Sequence, residues 1–216
     1  MITDMTEHIR PQDIEARSFS IIASELEEMG ISLDPEKDPV IRRAIHTSAD
    51  FDYAKTLCFS ENAVSIAKAL IRGGADIVSD TNMALTGINK KRLTSFGGSA
   101  RCYMADEEVA EEAKERGVTR ASVSMEHAAR DAKASGRKTV FAIGNAPTAL
   151  ITLREMYDKG IYAPDFVIGV PVGFVNVVEA KELIIETDIP YIVNRGRKGG
   201  SNVAAAIVNA LLYTMD

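Results

Sequence analysis

Three histidines are all the imidazole this chain contains, and one of them sits where it could do chemistry. His46 closes the apolar-spaced stretch "IRRAIHTSADFD" and is followed at once by Thr47, Ser48, Asp50 and Asp52. His8 stands in a polar N-terminal lead, and His127 in a run of small and charged residues. An imidazole titrates near neutral pH, so a single histidine suits one proton transfer. The same position admits a plainer role, in which the ring bonds the free carbonyls at a helix C-terminus. Both readings stay open at this level.

A second group could bind an anion. The stretch "NRGRKGGSN" places Arg195 and Arg197 beside Gly196, Gly199, Gly200 and Ser201. Guanidinium groups fork onto carboxylates through paired hydrogen bonds. Glycines let the backbone approach a ligand closely, and Ser201 can cap the following helix, whose first amides favour negative charge. The alternative is a solvated basic loop. Two further turns draw notice: "IGNAPTA", with Asn145 and Thr148 around Pro147, and Asp80 at the end of "ADIVSD". Asp80 either orients a ligand or caps the helix that starts beside Thr81.

Familiar catalytic motifs are missing. There is no G-x-G-x-x-G, no G-x-x-x-x-G-K-[ST] and no G-x-S-x-G, which argues against a dinucleotide fold, a P-loop and an esterase elbow. Scattered histidines and two distant cysteines, Cys58 and Cys102, make no convincing metal site, and the cysteines read as reduced thiols. A formal net charge of −6 argues against non-specific binding to nucleic acid. The acid is concentrated in "ADEEVAEEAKERG", which reads as a solvated helix face, so the overall sign hides the local cationic stretch. No apolar run approaches the ~18 to 20 residues that cross a bilayer. The polar start is not a signal peptide, and the chain reads as cytoplasmic.

The elements that must position these residues follow from periodicity. "IEARSFSIIASELEEMG", "DPVIRRAIHTSA" and "SENAVSIAKALIRGG" have apolar residues at helical spacing and read as three helices ahead of the first strand. "ADIVSD", "ARCYM", "TVFAIG", "DFVIGV" and "YIVN" are short and mostly apolar throughout, as strands covered on both faces are. Helical stretches separate them. The expectation is one domain over residues 1–216, a three-layer α/β/α fold with a mostly parallel sheet and a helical N-terminal lead. Ligands of such sheets bind beyond the carboxyl ends of the strands, where Asp80, Asn145, Val172 and Arg195 all fall.

The sequence resembles the precorrin-8X methylmutases, including the cobalt-precorrin-8 enzymes of cobalamin biosynthesis. The resemblance runs along nearly the whole chain. It is carried by "EARSF" (residues 15–19), His46, "GADIVSDTNMALTGI" (74–88), "GVTRAS" (117–122), "IGNAPTAL" (143–150), "GVPVGFVNVVEAKE" (169–182) and "VNRGRKGGSNVAAAIVNAL" (193–211). It implies an isomerase that moves a methyl group from C-11 to C-12 of a corrinoid ring in a 1,5-sigmatropic shift. No hydride carrier or methyl donor is implied, hence no cofactor and no protein-bound metal.

The resemblance also implies roles for residues. His46 matches the proposed acid that protonates the ring. Arg17 and Ser18 match an element near substrate, and Arg120 a position expected to bind carboxylate arms. Asp80, Thr81, Met83, Asn145, Thr148, Val172, Gly173, Arg195, Gly196, Arg197 and Ser201 match the strand-end segments around the substrate. The family is usually homodimeric, with sites at the interface. Two other functions compete: a nucleotide- or sugar-phosphate-binding enzyme of the same fold class, and a non-catalytic corrinoid carrier.

Overall fold

The computed structural model describes residues 10–215; His8 lies outside them. After a short 3-10 turn (Pro11–Asp13) come α1 (Ile14–Glu28), α2 (Asp38–Ser48) and the single turn α3 (Tyr53–Thr56). They are followed by β1 (Leu57–Phe59), α4 (Ala63–Arg72), β2 (Asp76–Ser79), α5 (Asn82–Gly87), α6 (Lys90–Ser95) and β3 (Ala100–Arg101). The second half runs α7 (Glu107–Arg116), α8 (Arg120–Ser135), β4 (Thr139–Ile143), α9 (Pro147–Asp158), β5 (Phe166–Gly169), α10 (Val177–Ile185), β6 (Tyr191–Asn194) and α11 (Ser201–Tyr213).

The strands form one sheet in the order β1-β6-β5-β4-β2-β3. All neighbours are parallel except β1 and β6. Every residue of β4 and β5 is buried, because helices cover both faces. The strand period of two divides the core. Val140, Ala142 and Ile168 face a layer built from α1, α2, α4, α5 and α11. Phe141, Ile143 and Val167 face α7, α8, α9 and α10. The expected α/β/α layering holds. Helix α11 is the keel of the first layer: Val203 to Val208 are all buried, as are Ala210, Leu211 and Leu212.

One expectation needs correction. Three helices do not lead directly into "ADIVSD": β1 intervenes as an antiparallel edge strand. Three residues carry too little alternation to read as a strand. What makes them one is β6, through the backbone register Leu57 to Asn194 and the bond from Tyr191 N to Ser60 Oγ at 2.9 Å. Asp38 opens α2. It is the first helical residue and pairs one turn on with Arg42 at 2.5 Å. The acidic stretch is α7, with only Val109 and Ala113 buried. Among the described residues no helix is long and apolar enough to cross a membrane.

Candidate active site

His46 lies in the last turn of α2, whose Val40, Ile41, Ala44 and Ile45 are buried against the core. That packing turns the half-buried ring towards α1. Its Nδ1 is 2.8 Å from Ser18 Oγ. The ring stacks on Phe19, with centroids 5.1 Å apart and planes 17° from parallel. Arg43 covers Phe19 at 4.7 Å and pairs with Glu15 at 2.5 Å. The helix-end reading fails for Nδ1: Ala44 O at the end of α2 is taken by Ser48 Oγ instead, at 2.7 Å. If Ser18 donates to Nδ1, the proton of the neutral ring rests on Nε2, which has no partner among the described residues.

Two clefts meet at His46. One, of about 360 Å³, lies between α1 and α2 and is lined by Arg17, Ser18, Ile21, His46 and Phe51. The other, of about 400 Å³, is lined by Arg43, His46, Thr47, Met83, Asn202 and Tyr213. Met83 and Asn202 belong to the carboxyl edge of the sheet, so the second cleft joins the histidine to the strand-end rim.

The rim is built from four turns. Asp80 is fully buried, and its carboxylate accepts three amides: Gly144 N at 2.8 Å, Asn145 N at 2.8 Å and Ala146 N at 2.6 Å. Burial pushes its pKa above the ordinary carboxylate value, against the pull of those amides. Asp80 is therefore neither a helix cap nor a rim contact; it is the clasp under the "IGNAP" turn. The cap of α5 is Thr81, whose Oγ1 accepts from Ala84 N at 3.1 Å and lies 2.8 Å from Ser201 Oγ. Ser201 thus ties α11 to α5 and does not cap its own helix; it is the first helical residue, and the cap position is Gly200, which has no side chain to cap with.

The β5 and β6 turns are interlocked. Gly200 N donates to Val170 O at 2.9 Å and Gly173 N to Arg197 O at 3.2 Å. A side chain at Gly199 would place its first carbon 2.1 Å from Val170 O, and one at Gly144 would lie 2.7 Å from Ser201 Cα. Only glycine permits these approaches. Arg197 is exposed and its guanidinium lies over Phe174, 5.5 Å from the ring centre. Arg195 pairs with Glu182 at 3.2 Å. Lys198 bridges Asp50 and Asp52, each at 2.6 Å, and so pins the segment after His46 to the same loop. Lys198 holds the Asp50 carboxyl below its ordinary pKa.

Not all expected residues converge. His46, Arg17, Ser18 and Met83 surround the two clefts in the α1–α2 layer. Asn145, Thr148, Val172 and Gly173 lie further along the rim. Arg120 opens α8 in the opposite layer, brought to the β4 turn by Thr119 Oγ1, 2.9 Å from Thr148 Oγ1. His127 is buried against Glu112 at 2.8 Å, away from this edge. A groove of about 370 Å³ between α8 and α9, lined by Glu126, Lys133, Glu155 and Lys159, is also remote from it.

Sequence reasoning missed Lys181, which is fully buried. Its Nζ donates to Gly196 O at 2.7 Å and Lys198 O at 2.8 Å. Burial pulls its pKa down to about 8. The signal was present: Val177, Ala180, Lys181 and Ile184 share one helical stripe, so the lysine stood on the buried face. Phe174 and Val175 were also passed over, although both are exposed apolar residues at the end of the "GVPVGFV" run.

Comparison with known proteins gives a consistent result. The family model described as precorrin-8X methylmutase matches residues 13–214. The cobalt-precorrin-8 methylmutase of Salmonella typhimurium is 43% identical over 207 residues, covering 94% of this chain and 95% of that protein. The precorrin-8X methylmutase of Pseudomonas aeruginosa is 39% identical over 210 residues, covering 96% and 98%. The crystal structure of a precorrin-8x methyl mutase from Thermus thermophilus superposes with a TM-score of 0.82 at 37% identity, covering 93% of this chain and 96% of that one. With the fold and nearly the full length in common, this chain belongs to the precorrin-8X methylmutase family.

Proposed function

We propose that this chain is an isomerase that moves a methyl group from C-11 to C-12 of a precorrin-8 macrocycle, with His46 as the acid. The product is hydrogenobyrinate, or cobyrinate when the ring already holds cobalt. The observation that carries the reading is the setting of His46: its Nδ1 is engaged by Ser18 and its side chain lines both clefts. The acid is the imidazolium form, in which Nδ1–H donates to Ser18 Oγ; transfer of the Nε2 proton to the macrocycle leaves a neutral imidazole, draws electron density from the conjugated system and lowers the barrier to the shift. Such acid assistance is worth roughly 10²- to 10⁴-fold. The rest comes from holding the ring in a reactive shape, a task for the rim loops and their arginines acting on the acid side arms. Relatives named for the cobalt ring and for the metal-free ring are almost equally similar to this chain, at 43% and 39% identity, so both rings belong in the test.

A homodimer is part of the proposal. Its support is the row of large apolar side chains along the rim: Met83 is 72% exposed, Phe174 84% and Val175 77%. A second copy seated there covers them, and Arg120 then reaches the substrate from the partner. Sedimentation of wild type and Phe174→Glu tests this, with a dimer and a monomer expected.

The function is tested by an anaerobic single-turnover visible spectrum with precorrin-8X and, in parallel, its cobalt form. Migration rearranges the conjugation, so conversion changes the colour. Wild type converts, and His46→Ala loses about 10²-fold or more in rate while its melting temperature holds. Equal conversion by both proteins removes His46 from the chemistry. Binding without conversion by wild type points to a carrier. A melting temperature raised by ATP or a sugar phosphate and not by a corrinoid points to a phosphate-binding enzyme.

A further inference from the structure

Lys181 is the only lysine or arginine among the described residues that is fully buried. No carboxylate pairs with it there. An unpaired ammonium in the interior is unfavourable for stability, so stability alone does not account for its place on the buried stripe of α10. Its two hydrogen bonds go to one loop, on Gly196 O and Lys198 O. The neighbouring carbonyls of that loop are also held. Asn194 Nδ2 donates to Arg195 O at 3.3 Å and to Lys198 O at 2.9 Å. Gly173 N donates to Arg197 O at 3.2 Å.

Four consecutive carbonyls, from Arg195 to Lys198, are therefore gathered by donors of the protein itself. A loop fixed in this way cannot turn a carbonyl oxygen towards an incoming anion. Arg197 lies between the two carbonyls that Lys181 anchors, and its side chain stays exposed over Phe174. We propose that Lys181 is a positioning residue for the carboxylate-receiving loop: its ammonium holds the carbonyls of Gly196 and Lys198 and so keeps Arg197 in the pose that meets a substrate side arm. The inference rests on the methylmutase reading, in which this loop meets acid arms of the macrocycle.

The test is steady-state kinetics on precorrin-8X with Lys181→Met, Arg197→Ala and the double variant. Lys181→Met preserves length and removes the charge and donors. It raises KM about tenfold and leaves kcat within about threefold. Arg197→Ala raises KM by a similar factor. Because Lys181 acts through Arg197, the double variant is no worse than the weaker of the two single variants. Lys181→Arg, which keeps charge and donors, recovers most of the lost KM. If the methionine variant does not fold, Lys181→Gln replaces it in the same cycle, judged by the same outcomes. An unchanged KM overturns the proposal, as do single effects that multiply in the double variant, or a fall in kcat equal to the rise in KM. Failure of wild type to turn over rejects the methylmutase reading and this inference together, whereas wild-type turnover with an unaltered Lys181→Met rejects the inference alone.

Discussion

The turn after β4 and the loop after β6 stand side by side on the same sheet edge, and each is built over a buried charge of opposite sign. Asp80 lies under the first and draws in three amides. Lys181 lies under the second and draws in two carbonyls. The sign of the buried group decides what the backbone can still offer. With the amides of Gly144, Asn145 and Ala146 already engaged, the start of α9 has little left for an anion, so Asn145 and Thr148 must act through their side chains. With its carbonyls engaged, the loop from Arg195 to Lys198 meets solvent with its cationic side chains. Two turns that look equally suited to a ligand in the sequence are thus unequal, and under the proposed function the second is the one that receives an anion.

The largest effect that bears on this contrast is expected for Asp80→Ala. It leaves the buried amide of Gly144 and the part-buried amides of Asn145 and Ala146 without their acceptor, at up to roughly 1 to 3 kcal/mol for the buried one before relaxation, and should lower the melting temperature by about 5 °C or more. A variant as stable as wild type would mean that the carboxylate is not what holds the turn. Gly199→Ala comes next. Its new side chain meets the backbone oxygen of Val170, so the loop must move; a loss of about 2 kcal/mol is expected, seen as a lower melting temperature and a raised KM. Lys181→Met should cost only about 1 kcal/mol, because removing a desolvated charge offsets much of the lost bonding. A loss as large as that of Asp80→Ala would erase the proposed difference between a structural clasp and a positioning residue.

The smallest effect is a pH dependence. Lys181 gives up its proton near pH 8 in the folded protein and near 10.5 when unfolded. Between those values the unfolded chain binds more protons, so this group makes stability rise with pH. The melting temperature of wild type should therefore gain on that of Lys181→Met by a few degrees from pH 8 to pH 10.5. A constant difference would mean that the lysine is not desolvated.

Much of the fold was legible because its signals are local. Strands buried on both faces are apolar throughout, as in "TVFAI", and a parallel sheet between helices follows from their alternation with amphipathic stretches. β1 was not legible, since three residues pair only because β6 is beside them, and the single-turn α3 and the six-residue α6 are too short for a period to show. In the site, the residue types at the strand ends pointed to the carboxyl edge of the sheet, where the structure gathers the turns that carry them. Their roles did not follow. Asp80 could cap, orient or clasp until the amides of residues 144–146 were seen around it. Ser201 could cap α11 until Thr81 was found 2.8 Å away. His46 could bond a helix end until Ser18, twenty-eight positions earlier, was seen on its ring nitrogen.

By itself the sequence determined the layer architecture, the placing of the polar turns at the strand ends and the presence of one histidine fit for proton transfer. Periodicity and residue chemistry act over a few neighbours and need no partner to be read. Only the tertiary structure decided which nitrogen of His46 is engaged, which turn has its amides taken, and which carbonyls the lysine on the buried stripe of α10 bonds. Those outcomes depend on groups far apart in the chain, and a buried charge acquires its meaning from the dipoles that close around it.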